Sequence, residues 1–189
     1  TGTKEATCFE DGEETRTCSV CQAVETRPSF ANSDNCPSKA FTDLDAKAWY
    51  HEGVDYALTN SLMNGVGSGK FEPDGQLTRA QLVTVIYRAA GEPDTGKQVN
   101  PVSDVADDTW YTKAVIWAAN NGIVNGVAKN TFAPDDSFTR EQIAAMLDRY
   151  AGAEAAKEDK LSASPDAAKV SDWAKEALNW AVASGLING

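Results

Sequence analysis

The chain has 189 residues, 42% of them hydrophobic and 24% charged, with a formal net charge of −11. That composition is ordinary for a globular protein with room for one larger core or two small ones. The charge excludes a nucleic-acid binder, which needs clustered Lys and Arg to release counterions from phosphate, and the longest apolar runs, such as residues 114–119, are too short to span or insert into a bilayer.

The chain opens Thr1-Gly2-Thr3-Lys4, without a basic n-region or an apolar h-region, and so reads as a segment of a longer, processed protein. All four cysteines lie in residues 1–40: Cys8, then Cys18-Ser19-Val20-Cys21, then Cys36. With the polar stretch Gly12–Thr17 between them, this reads as β-hairpins closed by cross-links between cysteines. Two disulfides suit an exported protein, while the spacing also admits a tetrathiolate zinc site at Cys8, Cys18, Cys21 and Cys36. No other cofactor is expected.

From residue 41 the chain repeats itself, and the repeat decides the architecture. An offset of 61 carries Asp43 onto Asp104, Trp49-Tyr50 onto Trp110-Tyr111 and Asn64-Gly65 onto Asn125-Gly126. It continues through Phe71 and Pro73 onto Phe132 and Pro134, and Thr78-Arg79 with Gln81 onto Thr139-Arg140 with Gln142. A third copy begins near Asp166, with Trp173 in the place of Trp110, and Gly189 is reached with roughly half of a copy still to run. The domains are therefore 1–40, 41–91, 102–152 and an incomplete 166–189, joined by polar linkers at 92–101 and 153–165.

Each full copy reads as helix, loop, helix. Helical spacing of Trp49, Val54, Ala57 and Leu58, recurring as Trp110, Val115, Ala118 and Ala119, predicts helices near 47–60 and 108–121, with a third such helix near 172–184. Thr78 with Gln81 and Thr139 with Gln142 are capping boxes, which predict helices at 78–90 and 139–151. Apolar stripes follow in each: Leu82, Val85, Ile86 and Ala89, then Ile143, Met146, Leu147 and Tyr150. The fold class is mainly α, with strands only in the cysteine module.

These residues resemble the S-layer homology family over roughly four-fifths of the chain, from Phe41 on. The carriers are the Asp, the Trp opening the first helix, the Gly-bounded turn, Phe-x-Pro, and Thr-Arg at the second helix. Departures are Gln81 and Gln142 in place of the usual Glu, Glu141 in place of Ala, and Leu62-Met63 in the first turn. The resemblance implies a pseudo-threefold helical prism of repeats. It also implies non-covalent binding of a secondary cell-wall polysaccharide, often bearing a pyruvate ketal, in grooves between repeats, and so a place in the bacterial cell wall or surface layer. The cysteine module is similar to short modules of surface proteins in gut Gram-positive bacteria.

Arg79 and Arg140 are the foremost candidates for ligand contact. Each falls at the first helical position, where the helix end disfavours a cation. An anion shared between the guanidinium and the unpaired N–H groups of that helix end makes sense of it; pairing with Asp74 or Asp135 is the structural alternative. Gln81 and Gln142 are explained by capping, and Gly65 and Gly126 by a tight turn, though all four adjoin the candidate site. Trp49, Trp110 and Trp173 are read first as core residues and second as platforms for a sugar face. Asp43, Asp104 and Asp166 are read as favouring the start of the first helix.

His51, the sole histidine, reads as a solvated helix residue, which leaves no triad and no histidine-based metal site. Nothing local supports an enzyme. The competing reading is a self-assembly module of a surface layer that binds no glycan. The open face of the third copy is expected to be covered by chain beyond Gly189, by the 153–160 linker, or by another chain in a homodimer.

Overall fold

A computed structural model describes residues 12–19, 21–29 and 36–187. Strands β1 (Gly12–Thr17) and β2 (Val24–Ser29) form an antiparallel hairpin in which Gly12 faces Ser29 and Thr17 faces Val24. Its tip closes through Cys18 N–H on the Ala23 carbonyl at 2.8 Å, with Gln22 left-handed at φ 57°. Helices follow as α1 (His51–Thr59), α2 (Arg79–Ala89), α3 (Thr112–Asn120), α4 (Arg140–Ala151) and α5 (Lys175–Ala183). The protein is mainly helical, as the repeat pattern predicts. Strands are confined to the cysteine module among the described residues, isolated bridges aside.

The first helix of each copy starts about four residues later than its apolar spacing implies. In copy one the Asp45 carboxylate accepts the Lys47 N–H and Ala48 N–H binds the Asp45 carbonyl, which holds the segment before His51 in turns. The repeated Trp therefore precedes the helix rather than opening it. Trp49, Trp110 and Trp173 are 94%, 62% and 57% exposed, so the expectation that they are core residues is overturned. Trp49 and Trp110 meet only a neighbouring Tyr edge-on among the ring contacts described.

The chain divides into two units, residues 1–75 and 76–189, and the division falls inside the first copy. In the second unit α2 packs on α3 and α4 on α5, so each packed pair joins the second helix of one copy to the first helix of the next. One core runs through Val83, Ile86, Val115, Ala118, Phe132 and Met146. Tyr87 is buried there as well, its ring against Trp117 and its hydroxyl donating to the Pro93 carbonyl at 2.9 Å. A second cluster packs Ala144 and Ala145 against Ala174, Ala177, Leu178 and Ala181, where small side chains let α4 and α5 approach. Tyr150, assigned to the buried stripe of α4, is exposed instead.

Short 3-10 turns lead into two of the copies, and each is fastened by one polar residue in the middle of the first helix. Asn179 Oδ1 accepts the N–H groups of Lys160 and Leu161 at 2.8 and 3.0 Å, and its amide donates to the Glu158 carbonyl at 2.9 Å. The end of the 153–165 linker thus lies on α5. In the first unit the fully buried Asp55 takes the Ser38 N–H at 2.7 Å and the Ser38 hydroxyl at 3.1 Å, which holds the turn Pro37–Ala40 on α1.

Cys36 is buried and disulfide-bonded, Cys18 is exposed, and Cys21 is an exposed thiol outside any disulfide. Cys8 lies outside the described residues. A sulfur already in a disulfide is not a thiolate ligand, so the tetrathiolate zinc alternative at Cys8, Cys18, Cys21 and Cys36 does not describe this state. Two disulfides would need all four sulfurs, and Cys21 stands outside one, so that expectation is not met either.

Candidate functional site

The site begins with a backbone problem in the Phe-x-Pro loop. Glu72 and Ala133, the residues between Phe and Pro, are left-handed at φ 58° and 57°, a conformation that side-chain-bearing residues avoid. A repeated aspartate holds each one. Asp43 accepts the N–H groups of Phe71 and Glu72 at 2.9 and 2.8 Å, and Asp104 those of Phe132 and Ala133 at 2.8 and 2.7 Å. These aspartates close loops rather than start helices, which corrects the sequence reading of Asp43 and Asp104. The Phe71 N–H foremost holds the Asp43 carboxyl below its ordinary pKa. At Asp104 burial pushes upward, but the Phe132 and Ala133 N–H groups and the Arg79 charge carry it below the ordinary value.

Arg79 binds the same loop from the other side. Its Nε donates to the Phe132 carbonyl at 2.7 Å and Nη2 to the Asn125 carbonyl at 3.1 Å, with the guanidinium 4.8 Å from the Phe132 ring centroid and 4.5 Å from that of Phe138. The residue is 3% exposed. Burial lowers its pKa, and Asp136 and Asp104 oppose that through space. Its pairing partners are carbonyls of the second copy rather than Asp74.

The start of α2 is also occupied. Arg79 N–H binds the Asp136 carbonyl at 2.8 Å, Ala80 N–H the Pro134 carbonyl at 2.9 Å, and Gln81 N–H the Thr78 hydroxyl at 3.3 Å. The expectation that free N–H groups of this helix end share an anion with Arg79 therefore fails at α2. Gln81 and Gln142 complete their capping boxes by accepting Thr78 N–H at 2.8 Å and Thr139 N–H at 3.1 Å. Arg140, the counterpart of Arg79, is exposed at the start of α4. The loop of the third copy that would correspond to residues 125–133 falls outside the described residues.

Two grooves in the second unit are related by the repeat. One, of about 420 Å³, brings Arg88, Trp110 and Lys113 together with Glu92, Asp107 and Asp108. The other, of about 440 Å³, is lined by Arg79, residues 125–127, Gln142, Arg149 and Trp173, with apolar walls that include Phe138 and Met146. Arg149 and Trp173 stand where Arg88 and Trp110 stand in the first groove, but no carboxylate residue lines the second. The structure thus collects Arg79, Gly126, Gln142 and Trp173 of the sequence candidates in one groove. It places Trp110 in the other, and Arg140, Gln81 and Trp49 in neither. Arg149 was missed by the sequence reading; its recurrence as Arg88 was the available signal.

The glycines are set by close approach. A Cβ on Gly126 would lie 2.4 Å from the Thr131 carbonyl oxygen, and one on Gly65 2.4 Å from the Phe41 ring with φ at 75°. His51 corrects another expectation. It is not a solvated helix residue, since its Nε2 lies 2.9 Å from Asp55 Oδ2 and 3.2 Å from Ser38 Oγ. Because one nitrogen faces both partners, the imidazole is not placed to pass a proton from a serine to an aspartate as a triad does.

The fold and grooves define a tandem helical-repeat module. The chain belongs to the S-layer homology domain family, whose model matches residues 40–83, 103–144 and 165–189. It is 35% identical over 139 residues to the surface-layer 125 kDa protein of Lysinibacillus sphaericus, covering 73% of this chain and 11% of that one. It is 30% identical over 154 residues to an amylopullulanase of Thermoanaerobacterium thermosulfurigenes, covering 80% and 8%. It is 28% identical over 115 residues to a cellulosome-anchoring protein of Acetivibrio thermocellus, covering 59% and 26%. The chain thus spans a small part of each relative. Among the described residues no helix is long and apolar enough to cross a membrane.

Proposed function

We propose that the chain anchors a larger protein to the bacterial cell envelope, without catalysis, by binding an acidic secondary cell-wall polysaccharide in the groove between residues 125–127, Arg149 and Trp173. The observation that carries this reading is charge. In a chain of net charge −11, this groove presents two guanidinium residues and no carboxylate residue. Arg79 is buried with its Nε and Nη2 on carbonyls and is faced through space by Asp136 and Asp104, so it backs the groove rather than reaching into it. Arg149 is exposed beside it, and Trp173 offers a ring face of the kind that packs on the C–H side of a sugar. A carboxylate such as a pyruvate ketal matches the exposed Arg149 guanidinium in a groove without carboxylate residues. Relatives that include a cellulosome-anchoring protein and a surface-layer protein support the anchoring part of this reading.

The test is calorimetric titration of the chain with purified secondary cell-wall polysaccharide, before and after mild acid removal of its ketals. Arg149→Ala and Trp173→Ala are expected to weaken binding by about tenfold each, the effect of losing one charge-assisted contact. Removal of the ketals is expected to abolish the Arg149 effect. Unchanged affinity in both variants, with the melting temperature also unchanged, overturns the groove assignment.

A further inference from the structure

The first unit holds a side-chain cluster that anchoring does not use. Cys36 Sγ, a nitrogen of His51 and a carboxylate oxygen of Asp55 all lie within 4.8 Å of one another, with Cys36 and Asp55 buried. His51 and Asp55 sit one turn apart on the same face of α1, and Cys36 immediately precedes the turn Pro37–Ala40 that Asp55 fastens.

The repeat shows that this set exceeds what fastening needs. The position of Asp55 is Ile116 in the second copy and Asn179 in the third, and Asn179 secures its 3-10 turn with a neutral amide. The position of His51 is Thr112 and then Lys175. Among the described residues only the first copy places a carboxylate, an imidazole and a sulfur together. Thiolate, imidazole and carboxylate form a donor set that Zn²⁺ takes. A tetrahedral site with bonds of about 2.0–2.3 Å needs shifts on the order of 1 Å from the present separations. Ser38 Oγ, 3.2 Å from His51 Nε2, or a water can supply the fourth position. Asp55 Oδ1 is already oriented by the Ser38 N–H, as outer hydrogen bonds orient metal-bound carboxylates.

We propose that Cys36, His51 and Asp55 form a Zn²⁺ site available only when Cys36 is reduced, so that the Cys36 sulfur is held either by its disulfide or by a metal ion that ties it to α1. A dithiol opens the site. It donates two electrons and two protons to the disulfide of Cys36, which is cleaved to two thiols, and the dithiol leaves as its own disulfide. Zn²⁺ then displaces the Cys36 thiol proton to solvent, while His51 binds as the neutral ring.

The experiment uses the full chain with Cys18→Ser and Cys21→Ser, reduced by a water-soluble phosphine, which delivers the same two electrons and becomes a phosphine oxide. Co²⁺ is the optical probe and Zn²⁺ the competitor. The expected result is one Co²⁺ per chain with a thiolate charge-transfer band and tetrahedral d–d absorption, displaced by Zn²⁺, in the reduced protein only. His51→Thr, a side chain that the second copy carries at this position, is expected to weaken binding by about 10- to 100-fold. Zn²⁺ is also expected to raise the melting temperature of the reduced chain, since a ligand of the folded state stabilises it. Absence of Co²⁺ binding in the reduced chain overturns the proposal, whether or not that chain stays folded. So does binding that survives His51→Thr and Asp55→Asn, or a site formed only when Cys18 and Cys21 are present, which marks a thiol cluster instead.

Discussion

Arg79 and Arg140 occupy the same position of the same motif, yet their surroundings separate them. Arg79 is buried with two of its donors on the Phe132 and Asn125 carbonyls, so Arg79→Ala leaves the buried Phe132 carbonyl without this partner and opens a cavity between the two copies. Urea denaturation is expected to show a loss of about 2–4 kcal/mol for Arg79→Ala and a change within about 0.5 kcal/mol for the exposed Arg140→Ala. Equal effects would show that the motif, not its burial, sets the energetics. Asp104 belongs to the same network. Its pKa is lower in the folded chain than the ordinary carboxylate value, so its stabilisation is fully present above that value and is lost as pH falls through the folded pKa. Acid unfolding is therefore expected to steepen below about pH 4, and Asp104→Asn is expected to lower stability at neutral pH while flattening that acid limb. Circular dichroism along a pH titration reads both. Asp43, held by the same two N–H positions in its own loop, contributes in the same direction.

The helix ends were the most legible elements. Thr78 with Gln81 and Thr139 with Gln142 form reciprocal capping boxes, because the pattern depends on residues three apart and on nothing distant. Thr139→Ala is expected to cost about 1 kcal/mol in thermal or urea unfolding. The repeated Trp was misread for a related reason: helical spacing counts it as apolar, but the turn made by Asp45 ends the spacing before it reaches Trp49. The stagger of the packed pairs was not legible. It depends on carbonyls of Pro134 and Asp136 reaching the first N–H groups of α2, a contact between residues more than fifty apart that no local pattern encodes. The same loop gives Gly126 its constraint. A Cβ there would meet the Thr131 carbonyl oxygen, a backbone atom that cannot rotate away, so Gly126→Ala is expected to destabilise by about 1–3 kcal/mol. A melting temperature unchanged by that substitution would show that the loop around residues 125–131 yields more than its hydrogen bonds allow.

At the scale of the whole molecule, the net charge of −11 and the cationic groove act on an acidic polymer over different distances. Approach is governed by the net charge, which repels a polyanion when the screening length is long. In the proposed complex, contact falls to the exposed Arg149 at hydrogen-bonding range, where salt screens weakly, with the buried Arg79 charge behind it. Raising ionic strength from about 0.01 to 0.15 M shortens the Debye length from about 30 to about 8 Å, which removes the repulsion before it removes the contacts. The association rate with an acidic cell-wall polysaccharide is therefore expected to rise with salt across this range, with the dissociation rate changing less. Stopped-flow mixing of the chain with the polysaccharide measures both rates. The ketal-free, neutral polymer is the control, since its association rate is expected to be insensitive to salt. This dependence is opposite to that of a basic protein on a polyanion, whose affinity falls steeply as counterions accumulate. An association rate that falls with salt would show that the groove's field outweighs the rest of the surface at long range, and it would place the recognition charge outside the two arginines.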